Sequence, residues 1–332
     1  MKNHVIKTTA LILFLNIWLN VQSQQTNISS FAVLSNYKSS FKANLSDTSG
    51  KYGSNEFSIG FNIPVYTHLF KNKEGKAGFS NLDLQNNNSI IVPNIEFLNK
   101  SNTLLNLNLG IRGVYFTGNK NLWLSKLSLN FFEDEYSISS PHPRFTGVFL
   151  FYRIVNRNFS YHLGFANRYS FGIASVLPVA GLKYSFSDHW KLFLTFPFNG
   201  SIQYKANKKL LVTAKIHPSG AISYYTMQST LFGQLNGNLL FRKKATAFSI
   251  DGLYKLNEVV AVKASIGREV NQKIFFSDVK TDINKEPNNY FVSGISPSWF
   301  INIGFTFKLG KNPKLSALDN ESIDNLDENF EF

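Results

Sequence analysis

The chain has 332 residues, no cysteine, and 34 Lys and Arg against 21 Asp and Glu, a formal net charge of +13. Disulfides and Cys-based metal or redox centres are therefore excluded. The basic excess invites a nucleic-acid reading, which the export signal at the start of the chain removes.

Lys2 and Lys7 precede an apolar run from Leu11 to Val21, and the small residues Val21 and Ser23 fit the −3 and −1 positions of a cleavage site before Gln24. This is signal-peptide anatomy, predicted over residues 1–23. The run is about half the ~20 apolar residues a spanning helix needs, and Asn16 and Asn20 interrupt it. With no Cys after it, the leader is not of the lipoprotein kind. No later segment approaches a spanning helix. A membrane location therefore requires strands, closed so that every backbone N–H and C=O is satisfied.

Strands are predicted from alternation. Ile28–Ala43 opens the folded region, followed by a polar turn and Glu56–Thr67, where Phe57, Ile59, Phe61, Ile63 and Val65 oppose Glu56, Ser58, Gly60, Asn62 and Pro64. Residues 71–88 read as a long polar loop. Ser89–Leu98, Leu104–Thr117, Leu122–Phe132, Arg144–Val155, Phe159–Gly172 and Leu177–Phe186 follow. Trp190–Phe198, Ile202–Ala206 and Leu210–Ile216 are separated by short turns, with Asn199-Gly200 taken as a hairpin doublet. Next come Ile222–Phe232, Gly237–Phe241, Thr246–Tyr254, Val259–Ile266 and Lys273–Ser277, then a polar loop to Asn289. The last strand, Trp299–Leu309, places Ile301, Ile303, Phe305, Phe307 and Leu309 on one face and Phe300, Asn302, Gly304, Thr306 and Lys308 on the other. After Gly310, six carboxylates (Asp319, Glu321, Asp324, Asp327, Glu328, Glu331) face two lysines (Lys311, Lys314) without alternation, as in a mostly disordered periplasmic tail.

The fold class expected is all-β: an antiparallel transmembrane β-barrel of about 12 strands, within a range of 10 to 14, over residues 24–310, with a tail at 311–332. Its apolar faces meet lipid and its polar faces a wet lumen. The abundant aromatics (32 Phe, 14 Tyr, 4 Trp) suit strands and membrane interfaces. The rival all-β reading is a soluble exported β-sandwich binding protein, which also alternates. The large number of long strands favours the barrel.

One stretch carries a family resemblance. Leu177-Pro-Val-Ala-Gly-Leu-Lys-Tyr-Ser-Phe-Ser-Asp-His-Trp-Lys-Leu-Phe-Leu-Thr-Phe-Pro197, followed by Ile202-Gln-Tyr-Lys through Lys215, resembles an uncharacterised group of bacterial outer-membrane β-barrels, defined only as a domain of unknown function. The shared order is a Pro opening a strand, Gly then Tyr, a short turn before Trp, a strand ending in Pro, and a short Tyr strand. The resemblance implies a barrel in the outer membrane of a Gram-negative cell and carries over no activity, cofactor or catalytic residue.

The residues point to no catalytic site, cofactor or metal, and the chain is expected not to be an enzyme. His68, His142, His162, His189 and His217 form no close-spaced ligand pattern. Asp188 and His189 are adjacent, so in a strand they point to opposite faces. Glu133-Asp134-Glu135 is a carboxylate cluster that suits either a loop Ca²⁺ site or, more simply, a solvated loop. Alternation sends Glu56, Arg112, Lys126, Lys183, Lys191, Lys205, Lys215, Lys263 and Lys308 inward, a strongly basic set with Glu56 as its one carboxylate. Such a lumen selects anions; lysines near strand ends that merely reach interfacial water are the alternative. The expected function is a structural barrel or a small anion-preferring, porin-like pore, exported through a cleaved leader. Its partners are outer-membrane lipid and small anionic solutes, with no nucleic acid. A rim-catalytic outer-membrane enzyme of lipase or protease type is the rival.

Overall fold

The computed structural model describes residues 31–309 apart from 97, 99–100, 140, 171–172, 198, 228–236, 258 and 279–288. The leader at 1–23 and the acidic tail at 311–332 lie outside the described residues.

Fifteen antiparallel strands form one sheet: β1 (Phe31–Asn44), β2 (Lys51–Lys71), β3 (Ala77–Ile95), β4 (Leu104–Phe116), β5 (Asn121–Asp134), β6 (Arg144–Asn156), β7 (Phe159–Ser170), β8 (Ile173–Ser185), β9 (Trp190–Phe196), β10 (Asn199–Lys205), β11 (Leu210–Met227), β12 (Gly237–Lys255), β13 (Val260–Ser277), β14 (Asn289–Ile295) and β15 (Ser298–Leu309). Consecutive strands pair from β1 to β13. The sheet then closes on itself, because β15 pairs with both β13 and β1. β14 continues the β15 position along the upper part of β13, where Gln272–Ser277 pair with it. The wall is therefore a closed barrel of 14 strands, at the top of the expected range, and closure excludes the sandwich. Phe31 pairs with Leu309, so both mark one end, called lower here.

Lower turns are short and built on asparagine. Asn72 Oδ1 accepts from the N–H of Glu74 and of Lys76, Asn207 Oδ1 from Lys209 and Leu210, and Asn257 Oδ1 from Val259 and Val260, each at 2.7–2.9 Å. These Asx-turns reverse the chain within a few residues. Gly118, at φ +77°, sits where a Cβ would come 2.9 Å from the Ala77 carbonyl oxygen.

The outer face is an apolar belt. On β15, Trp299, Ile301, Ile303, Phe305 and Phe307 are all exposed, whereas Phe300 and Gly304 are buried inside. On β2 a bulge between Pro64 and Tyr66 hands the outward role to Tyr66, His68 and Phe70, which stack in a row with Tyr115 at centroid distances of 6.4, 6.1 and 5.5 Å. Ring pairs Tyr184–Phe186 and Trp190–Tyr204 continue the aromatic girdle at the same end.

Several expected boundaries change. The polar stretch 71–88 is not one loop: only 72–76 turn, and β3 starts at Ala77. Its three consecutive asparagines stay extended because all three pair with β2 and Asn86 also with Leu109 of β4, and pairing overrides propensity. Asn199 and Gly200 belong to β10, with the reversal lying before them. Three expected strand pairs are each one strand: Leu210–Ile216 with Ile222 onward is β11, Gly237–Phe241 with Thr246–Tyr254 is β12, and Val259–Ile266 with Lys273–Ser277 is β13. Residues 228–232, expected to continue β11, lie outside the described residues.

These strands looked broken because their faces exchange polarity midway. Low on β12, Phe248 and Ile250 point out while Ser249 and Asp251 point in. High on the same strand, Phe241 is buried inside and Arg242 lies outside. The upper barrel is filled rather than open. Tyr52, Ile95, Leu98, Leu104, Tyr225, Leu239, Phe241, Ile274, Phe276 and Ile295 form one buried apolar core. A polar seam locks it. Asp134 accepts from Asn102 Nδ2 at 2.7 Å, the Thr226 N–H at 2.5 Å and the Ser137 N–H at 2.7 Å, while Tyr225 Oη accepts from the Asn102 N–H at 3.0 Å. Arg144 donates to the carbonyls of Phe132 (2.8 Å) and Ile222 (2.5 Å), tying β5 and β6 to upper β11.

Candidate functional site: the charged barrel interior

The polar face of each strand supplies the interior charges. Register puts Arg112 opposite Asp83 and Lys126. The Arg112 guanidinium donates to Asp83 Oδ2 through Nε at 2.9 Å and Nη2 at 2.6 Å. Lys215 lies 2.8 Å and Lys263 3.7 Å from Asp251 Oδ2, and Ser249 Oγ donates to Asp251 Oδ1 at 2.9 Å. Lys183 lies over the Phe193 ring at 5.5 Å. Lys191 pairs across with Gln203 on the face opposite Trp190, Leu194 and Ile202. Lys205 and Lys308 are exposed at the lower rim, and Glu56 stands opposite Lys38.

Alternation missed part of this interior. Glu269, fully buried on β13, accepts from Lys38 Nζ at 2.7 Å and Ser219 Oγ at 2.8 Å through Oε1, and from Lys243 Nζ at 2.5 Å through Oε2. Asp83, Asp251 and Glu269 therefore join Glu56 as interior carboxylates, and Lys38, Arg168 and Lys243 join the cations. The one-carboxylate tally from the sequence is corrected accordingly. Asp251 was legible, since Phe248 and Ile250 flank it on the opposite face. Asp83 was hidden in the presumed loop, and Glu269 beside the β13 irregularity at Asn271, where φ is +50°.

Four interior carboxylates come from one arc of the wall, β12 round to β3, while Glu133 and Asp134 on β5 lie buried in the upper seam. Asp83, Asp251, Glu269 and Glu56 come from β2, β3, β12 and β13. From Arg144 to Met227, spanning β6–β11, the only acidic residue is Asp188, which sits in the lower turn between β8 and β9. Every charge that β6–β11 turn inward, including Arg168, Lys183, Lys191, Lys205 and Lys215, is positive.

The histidines occupy separate places in the barrel. His162 is buried inside, with Nε2 3.3 Å from Thr195 Oγ1 and its ring 4.7 Å from Tyr152. His189 Nδ1 bonds the Lys205 carbonyl at 2.7 Å in a lower turn. The His142 ring lies tilted against Tyr224 at a centroid distance of 3.9 Å, and its backbone N–H donates to Glu133 Oε1 at 2.9 Å. Burial, and then the Arg144 charge, lower the His142 pKa from its usual value. The Glu133-Asp134-Glu135 cluster serves the upper seam, with Asp134 occupied by N–H donors. Among the described residues, no group of three or more His, Asp or Glu is placed to hold a metal ion.

Comparison with solved structures finds similar barrels. The crystal structure of the COG4313 outer membrane channel from Pseudomonas putida F1 is 8% identical, covering 87% of this chain and 98% of that one at a TM-score of 0.41. The NanC porin is 10% identical (84% and 100% covered, TM-score 0.36), and the KdgM porin 9% identical (83% and 99% covered, TM-score 0.34). Likeness at this level carries no argument about function. No curated protein matches the chain. A family model does match, over residues 19–308, and on that span the chain belongs to the family described as Domain of unknown function (DUF6268).

Proposed function

We propose that the protein is an integral outer-membrane barrel whose interior takes up small anionic solutes, without catalysis. One observation carries this reading. Six consecutive strands, β6–β11, face the interior with cations and contain no carboxylate, while the interior acids come from the rest of the wall, Asp251 on the adjoining β12 pairing with Lys215. In a narrow space walled by low-dielectric protein, such a field concentrates anions. The apolar belt and aromatic girdle support membrane insertion, and the predicted leader supports export. The packed upper core favours a second form of the same reading, in which the barrel holds its solute and conducts only when that core parts.

Planar-bilayer recordings of the refolded mature chain in asymmetric KCl test the reading. The reversal potential should show anion preference. The preference should weaken with salt, as the Debye length shrinks from about 10 Å at 0.1 M to about 3 Å at 1 M. Replacing Lys183, Lys191 and Lys205 together with Glu should reverse it. A wild-type barrel that prefers cations refutes the proposal.

A further inference from the structure

The wall is uneven. β9 and β10 have 7 residues each, while their neighbours β8 and β11 have 13 and 18. The β8–β9 ladder ends at Ala180 and the β10–β11 ladder at Ile216. Above those residues β8 runs on to Ile173 and β11 to Met227, and among the described residues no strand lies between them. Two proline positions match this edge: Pro178 and Pro218 each stand two residues past the last ladder pair. Proline has no N–H to donate, and within sheets it is confined to edges and strand starts.

Height can be estimated. From Trp190 in the lower girdle to Phe196, about six steps of ~3.3 Å on a strand tilted ~40° rise about 15 Å. An outer-membrane barrel's apolar band is about 25 Å tall. The β9–β10 hairpin thus leaves the upper ~10 Å of the band unwalled, across a width of about 14 Å at the base of the gap, where three strand spacings of ~4.8 Å separate β8 from β11. The opening and the closed upper end share one cause. Upper β11, paired with β12 as far as Met227, leans inward toward β5 and β6, where Ile222 is held by Arg144 and Thr226 by Asp134.

The lining has two characters. Val176 and Phe196, 69% and 73% exposed, flank the gap on the lipid side, and Leu177, on the inner face, is still 42% exposed. Just inside, Arg168 pairs across with Ser175, and Lys183 and Lys191 lie below. Open backbone edges are not tolerated in bare hydrocarbon, so the gap suits an occupant that is polar at one end and apolar at the other. We infer that this gap is a side window through which a single-chain alkyl carboxylate moves between the interior and the outer leaflet, its head on Arg168 and its tail along Leu177 and Val176, with Lys183, about 26 Å of strand below the Arg168 level, the next cation inward. The inference rests on the anionic-solute reading and narrows its substrate class.

The native chain lacks cysteine, so single-Cys labelling is clean. The full mature barrel, folded into phosphatidylcholine vesicles, is labelled with a fluorophore at Leu177→Cys (inner face at the window), Val176→Cys (lipid face, same height) or Ser58→Cys (inner face of β2). Quenching by doxyl-stearate is compared with quenching by doxyl-phosphatidylcholine. The stearate-to-phosphatidylcholine ratio should be several-fold higher at position 177 than at 176 or 58. Arg168→Gln with Lys183→Gln should abolish the excess. If Leu177→Cys fails the heat-modifiability check for folding, Ser175→Cys is read in its place. Equal ratios at 177 and 176, or an excess indifferent to the charge replacements, overturn the window. Iodide quenching at Ser58→Cys separates the two readings: iodide access without stearate excess sinks the window alone, and no access by either anion sinks both.

Discussion

Replacing Glu269 with Gln tests whether the interior is organised by its few carboxylates. The side chain is fully buried and joins three strands at once, taking Lys38 from β1, Ser219 from β11 and Lys243 from its neighbour β12. Gln preserves volume but leaves two ammonium groups facing each other without their shared counter-charge. Lys38 has 23% of its side chain exposed and can shift toward water, whereas Lys243, at 7%, cannot. Removing one partner of a buried ion pair costs about 3–5 kcal/mol, and partial escape of Lys38 places this case near 3 kcal/mol. Urea titration of the barrel in phosphatidylcholine vesicles, read by heat-modifiable gel migration and Trp fluorescence, measures the loss. Glu269→Gln combined with Lys243→Met removes the stranded cation and should recover much of the stability, a coupling of order 1–3 kcal/mol. A single Glu269→Gln variant within about 0.5 kcal/mol of wild type, the range of an inconsequential surface change, refutes the reasoning.

Ile303→Arg puts a charge on the lipid face near mid-belt and should cost about 2–4 kcal/mol, whereas Asn302→Arg on the inner face should accumulate far better; equal yields in outer-membrane fractions contradict the facing. Phe276→Ala should cost about 3–5 kcal/mol and, by hollowing the upper core, raise single-channel conductance; lost stability with unchanged conductance shows that the core is not the axial barrier. Arg144→Met removes two hydrogen bonds from a charged donor, worth about 1.5–3 kcal/mol each before relaxation, and should speed amide exchange at Ile222–Thr226; unchanged protection there dissociates Arg144 from the seam. For His142, the folded-state pKa lies below the unfolded value of about 6.5, so protonation favours the unfolded chain. The stability of wild type relative to His142→Gln should therefore fall as pH drops below about 6.5, and a rise over that interval contradicts the burial argument.

Alternation along the sequence determined the membrane-facing half of this protein. Where lipid lies outside and water or charge inside, each strand has one apolar and one polar face, and β15 and the first part of β2 can be read residue by residue. The stretch from Arg144 to Met227, with Asp188 as its one acidic residue, and the proline placed after Leu177 are likewise properties of the chain alone. The upper barrel was not legible for the same physical reason. Beyond the lipid the outside is wet and the inside is a packed core, so Phe241, Ile274 and Phe276 turn inward on strands whose lower apolar residues turn outward. A two-residue period reports which neighbours differ, not which side is in. Asp83 and Glu269 were hidden because their backbone is held extended by partner strands far away in sequence. Only tertiary pairing decides that β15 closes on β1, that β14 and β15 share one place in the wall, and that upper β11 leans against β5 and β6, because each depends on which edges remain to be satisfied once the other strands have paired.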